Sequence, residues 1–220
     1  MRKDRLAIGE TYHIYNKSIA GYTIYNNEEE FLRMLSAIRY YRREKTEISF
    51  SRFLRDNETE KEHSENYSIL QDKRNLIEII SYCLMPTHLH LILKQLADNG
   101  ISIFMSTVEN SYTRYFNLKH KRKGPLWETR FRSILIKTDE QLLHLTRYIH
   151  LNPVTAHLVN EPEKWSMSSY NEYLTKIDEN KKTCDYNDVL NIEPATYKRF
   201  VEDRISYQRE LAKIKELLVD

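Results

Sequence analysis

Two histidines one residue apart, His88 and His90, interrupt the apolar run "MPTHLHLIL" at 85–93. Alternation along a strand puts both imidazoles on one face and Leu89 and Leu91 on the other. The leucines can then build a core while the histidines present ring nitrogens. Two imidazoles on one face can converge on one cation, with a third ligand supplied by another element. Ile92 occupies the next alternate position, which argues against a three-histidine phosphoesterase set. A pair of partly exposed strand histidines without a ligand would give the same local pattern.

The segment "LHLTRYIHLNPV" (143–154) adds a nucleophile and a third ligand. Helical spacing places Tyr148 and Asn152 on one face, with His144 a turn before. Asn152 offers a carbonyl oxygen to a metal, and Tyr148 offers a phenol. A tyrosine that attacks a DNA phosphodiester stays covalently attached and keeps the bond energy for rejoining. Phenol titrates near pH ~10, so it needs help at neutral pH. A divalent metal held by His88, His90 and Asn152 could polarise the scissile phosphate and orient it. Pro153 opposes this, because the residue before a proline is pushed away from helical geometry. Tyr112 and Tyr115 are rival nucleophiles by type, but no polar residue four positions on from either fits a metal as well as Asn152 does.

A third feature is "RYFNLKHKRKGPLWETRFRS" (114–133), where Arg114, Lys119, Lys121, Arg122, Lys123, Arg130 and Arg132 face one acid, Glu128. Tyr115, Phe116, Trp127 and Phe131 are interleaved. Cations that track phosphates and rings that stack on bases are what single-strand binding requires. Gly124 and Pro125 make the tip a loop. The same pattern would also suit a solvated helix end.

The whole chain has 220 residues, 40% hydrophobic and 30% charged, enough for one large domain or one domain with additions. Its net charge of +2 does not point to nucleic acid without the clustering just described. Cys83 and Cys184 have no metal-like spacing and no disulfide framework, which suits a reducing cytoplasm. No apolar run approaches the roughly 20 residues that cross a bilayer, and the first residues lack a signal-like apolar region. The expectation is a soluble, cytoplasmic protein.

The elements that must position these groups follow from periodicity. "ETYHIYNKSI" (10–19) alternates as a strand, with His13, Tyr15 and Lys17 opposed to Tyr12, Ile14 and Asn16. Residues 26–45 read as a helix capped by Asn26 or Asn27, with Phe31, Leu35 and Ile38 on its buried face. The polar, acidic stretch at about 55–68 reads as an insertion. Strands over 75–86 and 88–95 make a hairpin about Pro86 and Thr87. A helix over 98–121 follows an Asn-Gly turn, with Ile103, Val108, Tyr112 and Tyr115 available for its buried side. A strand over 131–137 leads to a helix over 138–159 that Pro153 interrupts. A terminal helix spans 195–218. The predicted class is α+β: a ferredoxin-like, split βαβ antiparallel sheet with helices on one face, plus a C-terminal helical extension. The expected division is 8–173 and 174–220.

With these pieces in order, the chain resembles the single-tyrosine HUH transposases of the insertion-sequence-200 type, named for a histidine, a hydrophobic residue and a histidine. Within them it looks most like the REP-associated tyrosine transposases. The resemblance is carried by "YHIYNKSI", "MPTHLHLIL", "YFNLKHKRKGPLWETRFRS", "RYIHLNPV" and "WSMSSY", in the family's order, across roughly residues 8–173. It implies that His88 and His90 are metal ligands, Asn152 the additional polar ligand and Tyr148 the nucleophile. It implies cleavage of single-stranded, hairpin-flanked DNA with a 5′-phosphotyrosine intermediate and a free 3′-hydroxyl. It implies Mg2+ or Mn2+, where imidazoles alone would suggest zinc. The DNA-binding candidates are Arg114, Lys119, Lys121, Arg122, Lys123, Trp127, Arg130 and Arg132. A homodimer, and a site shared between chains, stay open. Lys17 stands where the family pattern leads one to expect arginine, and neither the acidic insertion nor the tail after 174 matches it. Two other readings remain at this level: a module that holds hairpin DNA or RNA without cutting it, and a metal phosphodiesterase that uses water.

Overall fold

The computed structural model describes residues 5–45, 47, 49–56, 73–175, 182–186 and 190–210. Four antiparallel strands form one sheet in the order β2-β3-β1-β4: β1 Thr11–Lys17, β2 Ile77–Met85, β3 His88–Gln95 and β4 Arg132–Leu135. Between them run α1 Glu28–Tyr41, a short α2 Phe50–Asp56 and α3 Gly100–Lys119. After β4 comes α4 Asp139–Thr155, then α5 Tyr170–Leu174 and α6 Pro194–Glu202. This is the split βαβ order expected, with β1 and β3 at the centre of the sheet.

One face is apolar because of simple alternation. Ile14, Leu89, Leu91 and Leu93 are fully buried there against Met34, Ile38, Phe104 and Met105 of α1 and α3. Each such side chain contributes about 1.5–3 kcal/mol on leaving water. α1 begins as predicted: Asn27 caps it by accepting the Glu30 N–H, and Glu28, Glu29 and Glu30 occupy the first turn. α3 starts at a left-handed Asn99, and Gly100 is required because a Cβ there would sit 2.2 Å from the Leu76 carbonyl oxygen. Its buried stripe runs through Ile101, Phe104, Met105, Val108, Tyr112 and Phe116. Ile103 lies off that stripe and is 47% exposed, which corrects its assignment to the buried side.

The other face carries the histidines. α4 crosses it, and a second core of Ile92, Ile136, Ile149, Leu151, Tyr170, Tyr173, Tyr197 and Val201 joins α4 to α5 and α6. Helical layers therefore lie on both sides of the sheet, which corrects the expectation of helices on one face: α1 and α3 cover the leucine face, and α4 with the C-terminal elements covers the histidine face.

Two other expectations are met differently. α4 runs through Pro153 to Thr155. Asn152 stays helical, and its carbonyl oxygen accepts the Ala156 N–H. Pro153 offers no N–H to the Ile149 carbonyl, yet the helix continues through it. The expected terminal helix breaks at a turn after Glu202, and only 205–210 of its second part is described. The acidic insertion lies outside the described residues from position 57 onward.

Candidate active site

The strand register assembles the histidine face. Tyr15 is paired with His90 on one side and Arg132 on the other; Lys17 is paired with His88, and His13 with Ile92. Residues directly opposite one another share a face. His90 is thus ringed by aromatic groups: His13 at 5.2 Å between centroids, Tyr15 at 6.0 Å and His88 at 5.2 Å. From α4, the Tyr148 ring meets His90 edge-on at 5.9 Å and 86°. Tyr148 keeps 39% of its surface open to solvent.

Both ring nitrogens of the histidine pair can be traced on one side. Thr87 Oγ1 lies 3.0 Å from His88 Nδ1, and His13 Nε2 lies 2.9 Å from His90 Nδ1. Burial, and then the Lys17 charge, lower the His88 pKa to about 4. His90 is held well below its ordinary value by burial, then by His13, His88 and Lys17. Burial alone lowers His13 to about 4. All three rings are therefore neutral at pH 7, the form in which an imidazole can bind a metal. The Tyr148 phenol moves the other way: burial, and then Tyr15, raise its pKa, so it is a neutral hydroxyl that must be activated.

α4 is fixed from both ends and from behind. Thr138 caps it by accepting the Gln141 N–H, and Asp139 and Glu140 complement its dipole. His150, fully buried, engages β2 and the C-terminal elements. Its Nε2 lies 2.7 Å from Ser169 Oγ and 3.1 Å from Ser81 Oγ, and its Nδ1 lies 2.7 Å from Tyr197 Oη. The network ties the helix that carries Tyr148 to β2, to the "WSMSSY" segment and to α6. Arg147 adds a guanidinium stacked 4.1 Å over Phe200.

Asn152 lies one turn beyond Tyr148, half-buried, and its Nδ2 is buried without a hydrogen-bond partner. A buried, unpartnered amide costs about 1–3 kcal/mol. Among the described residues, no three or more His, Cys, Asp or Glu side chains form a group that could hold a metal. The amide of Asn152 is a donor of another type, one that a divalent cation accepts. Two neutral imidazoles and an amide oxygen fit a divalent cation.

The other candidates separate by position. His144 is drawn away, its Nδ1 accepting from Arg147 at 2.7 Å. Tyr112 is buried beneath the leucine face, donates to the Ile24 carbonyl at 2.5 Å, and has its pKa raised chiefly by burial. Tyr115, also on α3, donates to Glu29 of α1 at 3.0 Å. Neither rival tyrosine is on the face of the histidine pair.

The basic stretch divides into engaged and exposed groups. Lys119 binds Glu29 at 2.8 Å and Glu30 at 3.3 Å. Arg122 staples its own loop, donating to Asn117 Oδ1 at 3.0 Å and the Pro125 carbonyl at 2.6 Å. Trp127 is half-buried, and its Nε1 donates to the Glu109 carbonyl at 3.4 Å. Arg114, Lys121, Lys123, Arg130 and Arg132 are exposed. Arg132 shares the face of Tyr15 and His90.

Sequence reasoning missed His13, Tyr15 and His150. The parity of "YHIYNK" was the available signal, since it puts His13, Tyr15 and Lys17 on one face. Only the register with β3 shows that this face is the one with His88 and His90. His150 carried no signal, because its partners are 19 to 69 residues away in sequence.

Residues 51–152 match the family described as IS200-like transposases. A protein of Haemophilus influenzae, itself assigned by inference as a REP-associated tyrosine transposase, is 29% identical over 104 residues, covering 42% of this chain. The match spans 58% of that relative's length. A solved REP-associated tyrosine transposase bound to a REP hairpin superposes with a TM-score of 0.52 at 15% identity, over 84% of this chain and 92% of that one, which shows the shared fold. These comparisons agree with the resemblance read from the sequence: residues 51–152 are similar to the IS200-like transposases, and part of the chain is similar to a REP-associated tyrosine transposase. No described helix is long and apolar enough to cross a membrane.

Proposed function

We propose that this protein is a metal-dependent DNA strand transferase that cleaves and rejoins single-stranded, hairpin-flanked DNA through Tyr148. The observation that carries the proposal is the edge-on approach of Tyr148 to His90, 5.9 Å between rings, on the sheet face that also holds His88. The structural neighbour, a transposase bound to a REP hairpin, supports hairpin DNA as the substrate class.

In this reading His88, His90 and the Asn152 amide hold the cation, Mg2+ or Mn2+. When bound, it supplies charge that polarises the scissile phosphate. Tyr148 Oη attacks the phosphorus. The new bond is Oη–P and the bond broken is P–O3′, leaving a 5′-phosphotyrosine and a free 3′-hydroxyl. The proton lost by the phenol is balanced by the one gained at O3′. Attack by an incoming 3′-hydroxyl reverses the step and joins strands without ATP. Arg132, level with Tyr15 and His90 across the sheet, donates to a flanking phosphate, and Arg114, Lys121, Lys123 and Arg130 extend the contact along the strand.

The test is a denaturing gel with a labelled hairpin that carries a single-stranded flank. A protein–DNA adduct should form with Mg2+ or Mn2+ and disappear with chelator. Salt-sensitive binding with no adduct would identify a hairpin-binding module instead. Cleaved product with no covalent species would identify hydrolysis by water.

A further inference from the structure

We infer that His13 is a positioning residue for the cation site: it accepts the Nδ1–H of His90 and so holds His90 in the tautomer whose Nε2 lone pair is free. The inference rests on the reading of His88 and His90 as ligands, but its chemistry concerns the metal-free chain.

The 2.9 Å contact joins two ring nitrogens with one hydrogen between them, and only two arrangements exist. If His13 donates, the single proton of neutral His90 lies on Nε2, and that nitrogen cannot ligate. If His90 donates, its Nε2 is bare. His88 shows the same division, since its Nδ1 is engaged by Thr87 Oγ1 at 3.0 Å. Both histidines therefore have Nδ1 occupied and Nε2 remaining, the arrangement in which an outer partner fixes the orientation of a ligand. The partner is not supplied by β3, where Ile92 takes the next alternate position. β1 supplies it through the register that sets His13 against Ile92, with the His13 and His90 rings only 18° from parallel. His13 is 7% exposed and Ile14 beside it is fully buried, so the geometry is fixed by the centre of the sheet. His13 does not join His88 and His90 as a third ligand, because no such group of three is suited to a metal among the described residues.

The direct test is nitrogen-15 histidine NMR on the metal-free protein at neutral pH, with the His90 signals assigned by their loss in His90→Gln. His90 should carry its proton on Nδ1, and His13→Phe should convert it to a mixture or to the Nε2–H form. A wild-type His90 protonated on Nε2 overturns the inference. Mn2+ titration followed by EPR is the second readout. His13→Phe should weaken Mn2+ by about 10–100-fold. His13→Gln, which keeps an acceptor oxygen, should recover most of that loss. Equal affinity for wild type and His13→Phe, or a Gln variant as weak as Phe, also overturns it. Absence of Mn2+ binding by wild type, or unchanged binding by His88→Ala and His90→Ala, would instead sink the ligand reading, while the NMR result would still decide the tautomer.

Discussion

Tyr148 and His90 belong to one chain and meet ring to ring, edge-on at 5.9 Å. The helix α4 therefore folds back over its own sheet, and no second chain is needed to bring phenol and imidazole together. If Tyr148 works on the cation of its own chain, mixing Tyr148→Phe with His90→Ala should give no adduct, since neither chain has a complete site. Recovery of adduct in the mixture would show a site shared between chains.

The exposed and engaged cations should behave differently. Arg132→Ala should weaken single-stranded DNA and reduce the magnitude of the log–log salt slope by about 0.7. Arg122→Ala removes the staple between Asn117 and the Pro125 carbonyl. It should lower protection of the 121–125 loop in hydrogen exchange while changing the salt slope less than Arg132→Ala does. A salt titration of both variants checks this, and a larger slope change for Arg122→Ala would place the phosphate contacts wrongly.

Much of this arrangement was legible before any coordinates, and the failures have physical causes. β3 matched its predicted bounds of 88–95, because alternating His and Leu leaves one register for a half-apolar strand. Asn27 capped α1 as its side chain and the following glutamates implied. Pro153 was misjudged because its local bias was weighed without the tertiary contacts of Ile149, His150 and Leu151, which hold the helix through it. The partners of Lys119 and Arg122 were not legible, because composition shows charge but not the acids and carbonyls that fold against it. His13 stayed hidden because a pairing between strands 77 residues apart cannot be read from either strand alone.

His150 should hold α4 through its partners. Tyr197→Phe leaves His150 Nδ1 without its 2.7 Å partner in a site with no solvent. The expected cost is about 1–3 kcal/mol of stability, read by urea denaturation. A loss under ~0.5 kcal/mol would mean that α6 does not brace the nucleophile helix.

Glu30 should shape the acid limb of stability. Burial alone would raise its pKa, but hydrogen bonds from the Asn26 backbone and side chain, His120 and Lys119 outweigh it and leave the carboxyl lowered. A lowered folded value means that the contribution is full above the ordinary carboxylate range and is lost as pH falls through the lowered value. Glu30→Gln should therefore melt lower than wild type at pH 7 and lose less than wild type on acidification toward pH ~3. Parallel curves for the two proteins would contradict this assignment.

The central claim is that Tyr148 carries the DNA. Trapping the adduct with a short hairpin oligonucleotide, digesting both components and sequencing the nucleotide-bearing peptide by mass spectrometry tests it most directly. The account predicts a 5′-phosphate on Tyr148 and no adduct from Tyr148→Phe, with Tyr115→Phe unaffected. A nucleotide on any other residue, or an undiminished adduct from Tyr148→Phe, would contradict it.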